Sequence, residues 1–263
     1  MRPILVTGGT GTLGRPVVAR LRAAGHPVRV LSRHAGQPDR DLEYVTVDLA
    51  TGEGIDAAVA GTEIVVHAAG SSKGDEVKTR HLVDAAVRAR VRHLVYISVV
   101  GADRVPIESG ADRAMFGYFG AKLASEKIIA ESGLPWTTLR AAQFHDLILT
   151  TARAMAKSPL IPVPAGTRFQ PVDTDEVADE LVRLTLGTPA GLVPDLAGPT
   201  IYELADLVRG YLRATGKHRL LVPVRFPGKA ARAVRQGANL APDRAVGRRT
   251  WEDFLAKKIS AGV

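Results

Sequence analysis

Tyr118 and Lys122 stand four residues apart in a stretch that reads as a helix, so they share one face. A free phenol titrates near about pH 10. A neighbouring ammonium favours the phenolate, so this spacing predicts a phenol brought down towards working pH. Such a tyrosine can hand a proton to a carbonyl oxygen while a hydride arrives at the carbon. The same two residues also fit a surface helix, or core packing beside Phe116 and Phe119. Far upstream, Thr7-Gly8-Gly9-Thr10-Gly11-Thr12-Leu13-Gly14 follows the apolar run Ile4-Leu5-Val6. Gly8, Gly11 and Gly14 recur every third residue. One allows a positive φ, one lets backbone approach a pyrophosphate, and one lets a helix pack close to a strand. A helix starting near Thr12 would aim its free N–H groups at phosphates. The expectation is a dinucleotide at this turn; a merely structural glycine-rich turn is the plainer alternative.

These residues need a scaffold that brings residue 8 to residue 122. Strand and helix patterns alternate through the first half. Strands are predicted at Ile4–Val6, Val28–Leu31, Leu42–Val47, Ile64–His67, Leu94–Ile97 and Trp136–Leu139. Helices are predicted after Leu13, stopped by Gly25, and over Ile55–Ala60, Val77–Ala89 and Tyr118–Glu131. Val77, Leu82, Ala85 and Ala89 are the inward candidates of the third helix. Near-continuous apolar strands between helices indicate an α/β fold, a Rossmann-type doubly wound parallel sheet. Residues 1–150 form the dinucleotide-binding core in this reading. Residues 151–263 form a smaller, mixed substrate-side portion packed on it. Pro159, Pro162, Pro164 and Pro171 break up its start. Asp173 with Glu176, and Thr200 with Glu203, resemble capping boxes for helices at Val177–Leu186 and Leu204–Ala214.

The chain has 263 residues, 46% of them hydrophobic, enough for a full core. It has no cysteine, which excludes disulfides, thiolate metal sites and cysteine nucleophiles. No apolar run is long enough to span a membrane, and the first residues lead directly into a strand, so a cytoplasmic location is the default expectation. The net charge is +8. The densest basic region, Arg225 to Arg249, lacks interleaved aromatics, so a solvated face is favoured over nucleic-acid binding. Oligomeric state stays open.

The end of the second strand reads Ser32-Arg33-His34, with no acid. In such folds an acid there holds the ribose hydroxyl of NAD, whereas an arginine suits the 2′-phosphate of NADP. A guanidinium grips a phosphate with charge-assisted bonds, and Ser32 can add a hydroxyl. NADPH is therefore expected ahead of NADH, with Arg33 as an ordinary solvated loop residue the alternative.

Taken together, the glycine turn, Asp48-Leu49, His67-Ala68-Ala69-Gly70, Tyr96-Ile97-Ser98, Tyr118-Phe119-Gly120-Ala121-Lys122 and Leu139-Arg140-Ala141-Ala142-Gln143-Phe144 resemble the short-chain dehydrogenase/reductase superfamily, in its atypical NmrA-like NAD(P)H-binding branch. The resemblance implies a cofactor held by Gly8, Thr10, Gly11, Thr12, Leu13, Gly14, Ser32, Arg33, Asp48, Leu49, Ala68, Ala69, Gly70, Ser98, Lys122 and Ala141. Asp48 and the Leu49 backbone would meet the adenine; a turn cap is the other role for Asp48. Ala68, Ala69 and Gly70 would let the cofactor lie close, although a tight connection demands the same residues. Tyr118 would be the general acid, Lys122 its activator and a ribose contact, and Ser98 the substrate-orienting donor or a simple strand-end cap. No metal is implied. Gln143, Phe144, His145 and Asp146 would face the nicotinamide and substrate, or act as loop hydrogen-bonders. With Leu147, Met155 and Phe169, Phe144 suggests an apolar pocket. The implied function is NADPH-dependent reduction of a small, apolar carbonyl or quinone compound. The alternative from another class is a regulator that senses NADP(H) and binds a protein partner without chemistry. A sugar-nucleotide epimerase or dehydratase ranks below both.

Overall fold

The computed structural model describes residues 1–34, 36–70 and 74–260. In chain order the first elements are β1 (Ile4–Thr7), α1 (Gly14–Ala23), β2 (Val28–Ser32), β3 (Leu42–Thr46), α2 (Ile55–Val59), β4 (Ile64–His67), α3 (Asp75–Arg88), β5 (His93–Val99), α4 (Gly110–Ala130) and β6 (Trp136–Ala141). There follow α5 (His145–Met155), β7 (Leu160–Pro164), β8 (Arg168–Phe169), α6 (Thr174–Leu186), β9 (Gly191–Leu192), β10 (Tyr202–Glu203), α7 (Leu204–Ala214), β11 (Leu220–Val224), α8 (Lys229–Arg235) and α9 (Trp251–Ser260). Contacts divide the chain into two compact units, residues 1–98, 117–140 and 175–194, and residues 99–116, 141–174 and 195–263.

The first unit is built on a seven-stranded sheet of order β3-β2-β1-β4-β5-β6-β9. β1 pairs in parallel with β2 and β4, and β4 with β5. The strand order therefore reverses beside β1. Such a switch point opens a crevice at the carboxyl ends of the strands, where open α/β sheets take their ligands. Thr7 and His67, the last residues of β1 and β4, are in register there. Leu5, Val65, Leu82, Leu94 and Ile129 are buried in one core cluster with Tyr96. This is the Rossmann-type α/β fold that the alternating pattern predicts.

The second unit has its own core, in which Ile148, Leu207, Tyr211, Trp251 and Phe254 pack together. β7 and β11 form a parallel pair, and β8 and β10 an antiparallel one. Pro162 and Pro164 do not break β7, because each strand of a two-stranded ribbon keeps one free edge, and residues two apart can both turn their missing N–H towards it.

Several boundaries differ from expectation. The helix predicted from Tyr118 starts at Gly110. Gly110 and Gly117 hid it, since glycine weakens a helical pattern. Its true start is a capping box: the Ser109 backbone N–H donates to Asp112 Oδ2 at 3.0 Å, and the Asp112 N–H donates to Ser109 Oγ at 3.0 Å. By contrast, α7 begins at Leu204, and Glu203 before it makes no side-chain cap, despite the predicted Thr200–Glu203 box. The Leu204 N–H finds the Thr167 carbonyl at 2.9 Å instead. Val77, predicted inward, is 47% exposed, whereas Leu82 and Ala85 are buried. The His145 segment, for which a loop role was open, starts helix α5.

Candidate functional site

The glycine turn is fixed by backbone crowding. Gly8 has φ +69°, and a Cβ there would lie 2.7 Å from Ala69 Cα. A Cβ on Gly14 would lie 2.0 Å from the Gly8 carbonyl oxygen. The turn is thus pressed against Ala68-Ala69 on one side and the start of α1 on the other. Gly11 closes it by donating to the Gly8 carbonyl at 2.9 Å. α1 starts with no side-chain cap and no acid in its first turn. A helix start of this kind suits an anion. Thr10, Gly11 and Thr12 are exposed, while Leu13 is buried. The turn therefore fits a dinucleotide phosphate in shape and in charge.

Across the switch point, the structure gathers a second group around Lys122. Its ammonium is buried, although α4 presents it from the neighbouring helix. Nζ donates to the Ile97 carbonyl at 3.2 Å, which brings it to the end of β5, next to Ser98. It lies 4.8 Å from the ring centre of Tyr96 and 5.6 Å from that of Tyr118. Both rings offer cation–π stabilisation to a desolvated charge. Asp75, the first residue of α3, is also buried, with Oδ2 at 3.8 Å from Nζ. A Cβ on Gly70 would lie 3.3 Å from the same nitrogen. Ser98 is buried and its hydroxyl has no hydrogen-bond partner among the described residues. An unpaired buried hydroxyl of that kind is a poor strand cap and a good candidate ligand.

The protonation states correct one expectation. Lys122 does not bring the Tyr118 phenol down. The phenol is pushed up to about 12, first by burial and then by the Asp75 carboxylate. Tyr118 keeps 40% of its surface accessible, yet burial is the first cause of the rise. Lys122 is itself lowered to about 8 by burial, which Asp75 and then Glu126 oppose. The ammonium that was to activate Tyr118 is thus the weakly held partner.

Beneath this group runs a buried hydrogen-bonded chain that the sequence did not reveal. Thr7 Oγ1 meets His67 Nδ1 at 2.7 Å, His67 Nε2 meets Thr79 Oγ1 at 3.1 Å, and Thr79 donates to Ser125 Oγ at 3.0 Å. Thr79 spends its proton on Ser125, so it accepts from His67. The imidazole therefore carries its proton on Nε2 and accepts from Thr7 through Nδ1. Burial, with help from Lys122 and Lys78, lowers His67 to about 3, so it stays neutral. The ring also stacks on Tyr96, with centroids 5.3 Å apart. The chain ties β1, β4, α3 and α4 together directly below the turn and Lys122.

The remaining predicted residues are spread along the strand ends. Ser32 closes β2, and its Oγ accepts from the His34 N–H at 3.2 Å; Arg33 is exposed. Asp48 is exposed and accepts from the Ala50 N–H at 2.9 Å, so it does cap a turn here, while Leu49 joins the core. Ala141 ends β6 and is buried. In the second unit His145 is fully buried against Trp251 and Phe254, with ring centres at 5.9 and 5.0 Å. Burial lowers it to about 4, opposed by Asp173 and Asp146. Asp146 accepts from Thr174 Oγ1 at 2.9 Å. Met155 and Phe169 pack on the core of that unit, while Leu147 is 54% exposed. Two of its basic residues pair with acids: Lys229 with Glu108, and Arg249 with Asp173 at 2.6 Å. Among the described residues there is no cluster of three or more side chains able to hold a metal ion, and no helix is long and apolar enough to cross a membrane.

A family model for NAD(P)H-binding proteins matches residues 8–184, which include the turn, Asp75, Ser98, Tyr118 and Lys122. The chain belongs to the NAD(P)H-binding family. This NAD(P)H-binding chain is 28% identical over 202 residues to an uncharacterized protein of Mycobacterium bovis, covering 74% of itself and 22% of that relative. It thus spans about a fifth of the length of the first curated relatives it matches. It is also 28% identical over 231 residues to the (4-alkanoyl-5-oxo-2,5-dihydrofuran-3-yl)methyl phosphate reductase of Streptomyces griseus, covering 85% of this chain and 76% of the relative. Among solved structures, the NADPH-dependent quinone oxidoreductase of Escherichia coli complexed with NADPH superposes with a TM-score of 0.79 at 19% identity, over 97% of this chain and 99% of that one.

Proposed function

We propose that this protein is an NADPH-dependent oxidoreductase that reduces a small, apolar carbonyl or quinone compound. The observation that carries the reading is the buried Lys122 ammonium beside Tyr118, at the strand end where Ser98 keeps an unpaired buried hydroxyl. When bound, the dihydronicotinamide supplies a hydride. Gly8, Thr10, Gly11, Thr12, Leu13 and Gly14 hold the pyrophosphate, and Ser32 and Arg33 the 2′-phosphate. Asp48, the Leu49 backbone, Ala68, Ala69 and Gly70 line the rest of the cofactor's path. Ser98 donates its hydroxyl to the substrate oxygen. Tyr118, with its phenol high, is protonated at every physiological pH and serves as the proton donor. Lys122 fixes the charge beside it and contacts the cofactor ribose. The activities of the reductase relative and the quinone oxidoreductase neighbour support the reaction class.

A protein that only sensed the nucleotide has no need of a desolvated lysine, which is costly to keep charged. The enzyme reading is therefore preferred to the regulator.

The deciding measurement is loss of the nicotinamide absorbance with a panel of carbonyl and quinone compounds. NADPH oxidation that depends on one compound class is the expected result; oxidation with none of them overturns the reading. Arg33→Ser is expected to reduce the preference for NADPH over NADH about tenfold or more, because a hydrogen bond to a charged group contributes about 1.5–3 kcal/mol. Binding titrations with both nucleotides check it, and an unchanged preference removes Arg33 from the phosphate site.

A further inference from the structure

The residues around Lys122 include one that no motif in the sequence marked. We propose that Asp75 is a positioning residue whose carboxylate is the counter-ion that keeps Lys122 charged and thereby sets the upper pH limit of the site. The functional part of this inference rests on the reductase reading above; its electrostatic part does not.

The geometry makes Asp75 the natural choice among the groups that face Lys122. From α3, Asp75 brings Oδ2 to 3.8 Å, and both side chains are almost fully buried. From β4 comes His67, neutral within its hydrogen-bonded chain. β5 contributes Tyr96, whose phenol burial pushes far up, so it too is uncharged. From α4 come Tyr118, protonated up to about 12, and Glu126. Glu126 is already held by Arg140 through two bonds of 2.9 and 2.7 Å. Its charge is therefore largely balanced, and Asp75 Oδ2 lies 3.8 Å from the ammonium with both side chains buried. Asp75 also opens a 14-residue helix, where the positive end of the dipole supports an ionised carboxylate. Gly70 leaves the space: a Cβ there would lie 3.3 Å from Nζ and 3.7 Å from Asp75 Oδ2.

The same carboxylate acts on Tyr118 in the opposite functional sense. By opposing ionisation of the phenol it keeps the proton on the donor. One buried acid thus maintains both partners in the states that a reductase needs: a charged lysine and a protonated tyrosine.

The sign follows directly. Burial lowers Lys122 to about 8, and Asp75 is the first of the two carboxylates that oppose the fall. Removing that charge lowers the lysine midpoint further, by about 1 pH unit or more. The test is an NMR titration of the lysine side-chain Cε signals in the cofactor-free full chain, with Lys122 assigned by its disappearance in Lys122→Arg. The wild type is expected to show a Lys122 midpoint far below that of an ordinary lysine, Asp75→Asn a still lower one, and Asp75→Glu a return towards the wild type. Asp75→Ser provides a second neutral variant if Asp75→Asn does not fold. An unchanged Lys122 midpoint in the neutral variants overturns the proposal, even if their activity falls, since that pattern describes a merely structural aspartate. The titration needs no turnover, so failure to find a substrate leaves this outcome readable. Where turnover is found, the alkaline limb of kcat/KM is expected to move to lower pH in Asp75→Asn by the same amount as the NMR midpoint.

Discussion

Replacing Tyr118 by phenylalanine is expected to lower kcat/KM for the carbonyl or quinone substrate by about 10²–10⁴-fold, the usual contribution of a positioned general acid. The substitution keeps the ring that lies 5.6 Å from the Lys122 ammonium, so the fold and the lysine environment should persist. Nucleotide affinity and thermal midpoint should therefore stay near the wild-type values while turnover falls. Steady-state kinetics beside a binding titration separate these effects. Turnover that survives the change would assign the proton to another donor, with Ser98 or water next in line. The pH profile supplies a further check. A phenol near 12 stays protonated through neutral pH and contributes no limb there. Any alkaline limb near pH 8 then belongs to Lys122, and activity falls as pH rises through it, because the lysine loses its charge.

The second large effect concerns stability. Arg140 on β6 and Glu126 on α4 form a two-bond ion pair with side chains only 8% and 11% exposed. Glu126→Ala leaves a buried guanidinium without this partner, and such truncations cost about 3–5 kcal/mol. Chemical or thermal denaturation should show a loss of that size. Pairing Glu126→Leu with Arg140→Met should recover much of it, since the double change removes both charges at once. A loss below about 1 kcal/mol for Glu126→Ala would mean that water reaches the pair. Because α4 also carries Tyr118 and Lys122, part of any loss should be felt as weaker catalysis at temperatures well below unfolding.

Much of the scaffold was legible because local signals agreed with tertiary ones. β4 matches its predicted bounds, and β1, β2 and β3 fall within one residue of theirs at either end. β1 and β4 are short apolar runs, the pattern of a strand covered on both faces, whereas β3 is a half-exposed edge strand. The glycine turn was legible for the same reason, since its spacing expresses backbone contacts that exclude a Cβ. The misses have separate causes. α4 was cut short because glycines masked its first turns, although Ser109 and Asp112 carried a start signal. Val77 was placed inward because a β-branched apolar residue resembles core, and in one sequence nothing separates the two. Tyr118 and Lys122 were legible as a pair, but the electrostatics were not. Whether a lysine lowers a neighbouring phenol depends on burial and on third parties, and the third party, Asp75, lies 47 residues away in the chain. His67 could be seen only as the end of a strand. Its partners come from three other elements, and no spacing rule connects them.

That hydrogen-bonded chain restricts how this protein can change over time. Thr7, His67 and Thr79 donate in one direction towards Ser125, so each threonine hydroxyl uses the only proton it has. A valine in place of either threonine would keep the shape but leave a buried nitrogen or hydroxyl unpaired. Two of these members lie on strands, one on α3 and one on α4, so a tolerable exchange at one position requires simultaneous exchanges at distant others. A change in the floor under the site therefore calls for coordinated changes at distant positions, whereas an exposed position such as Arg33 can be replaced singly.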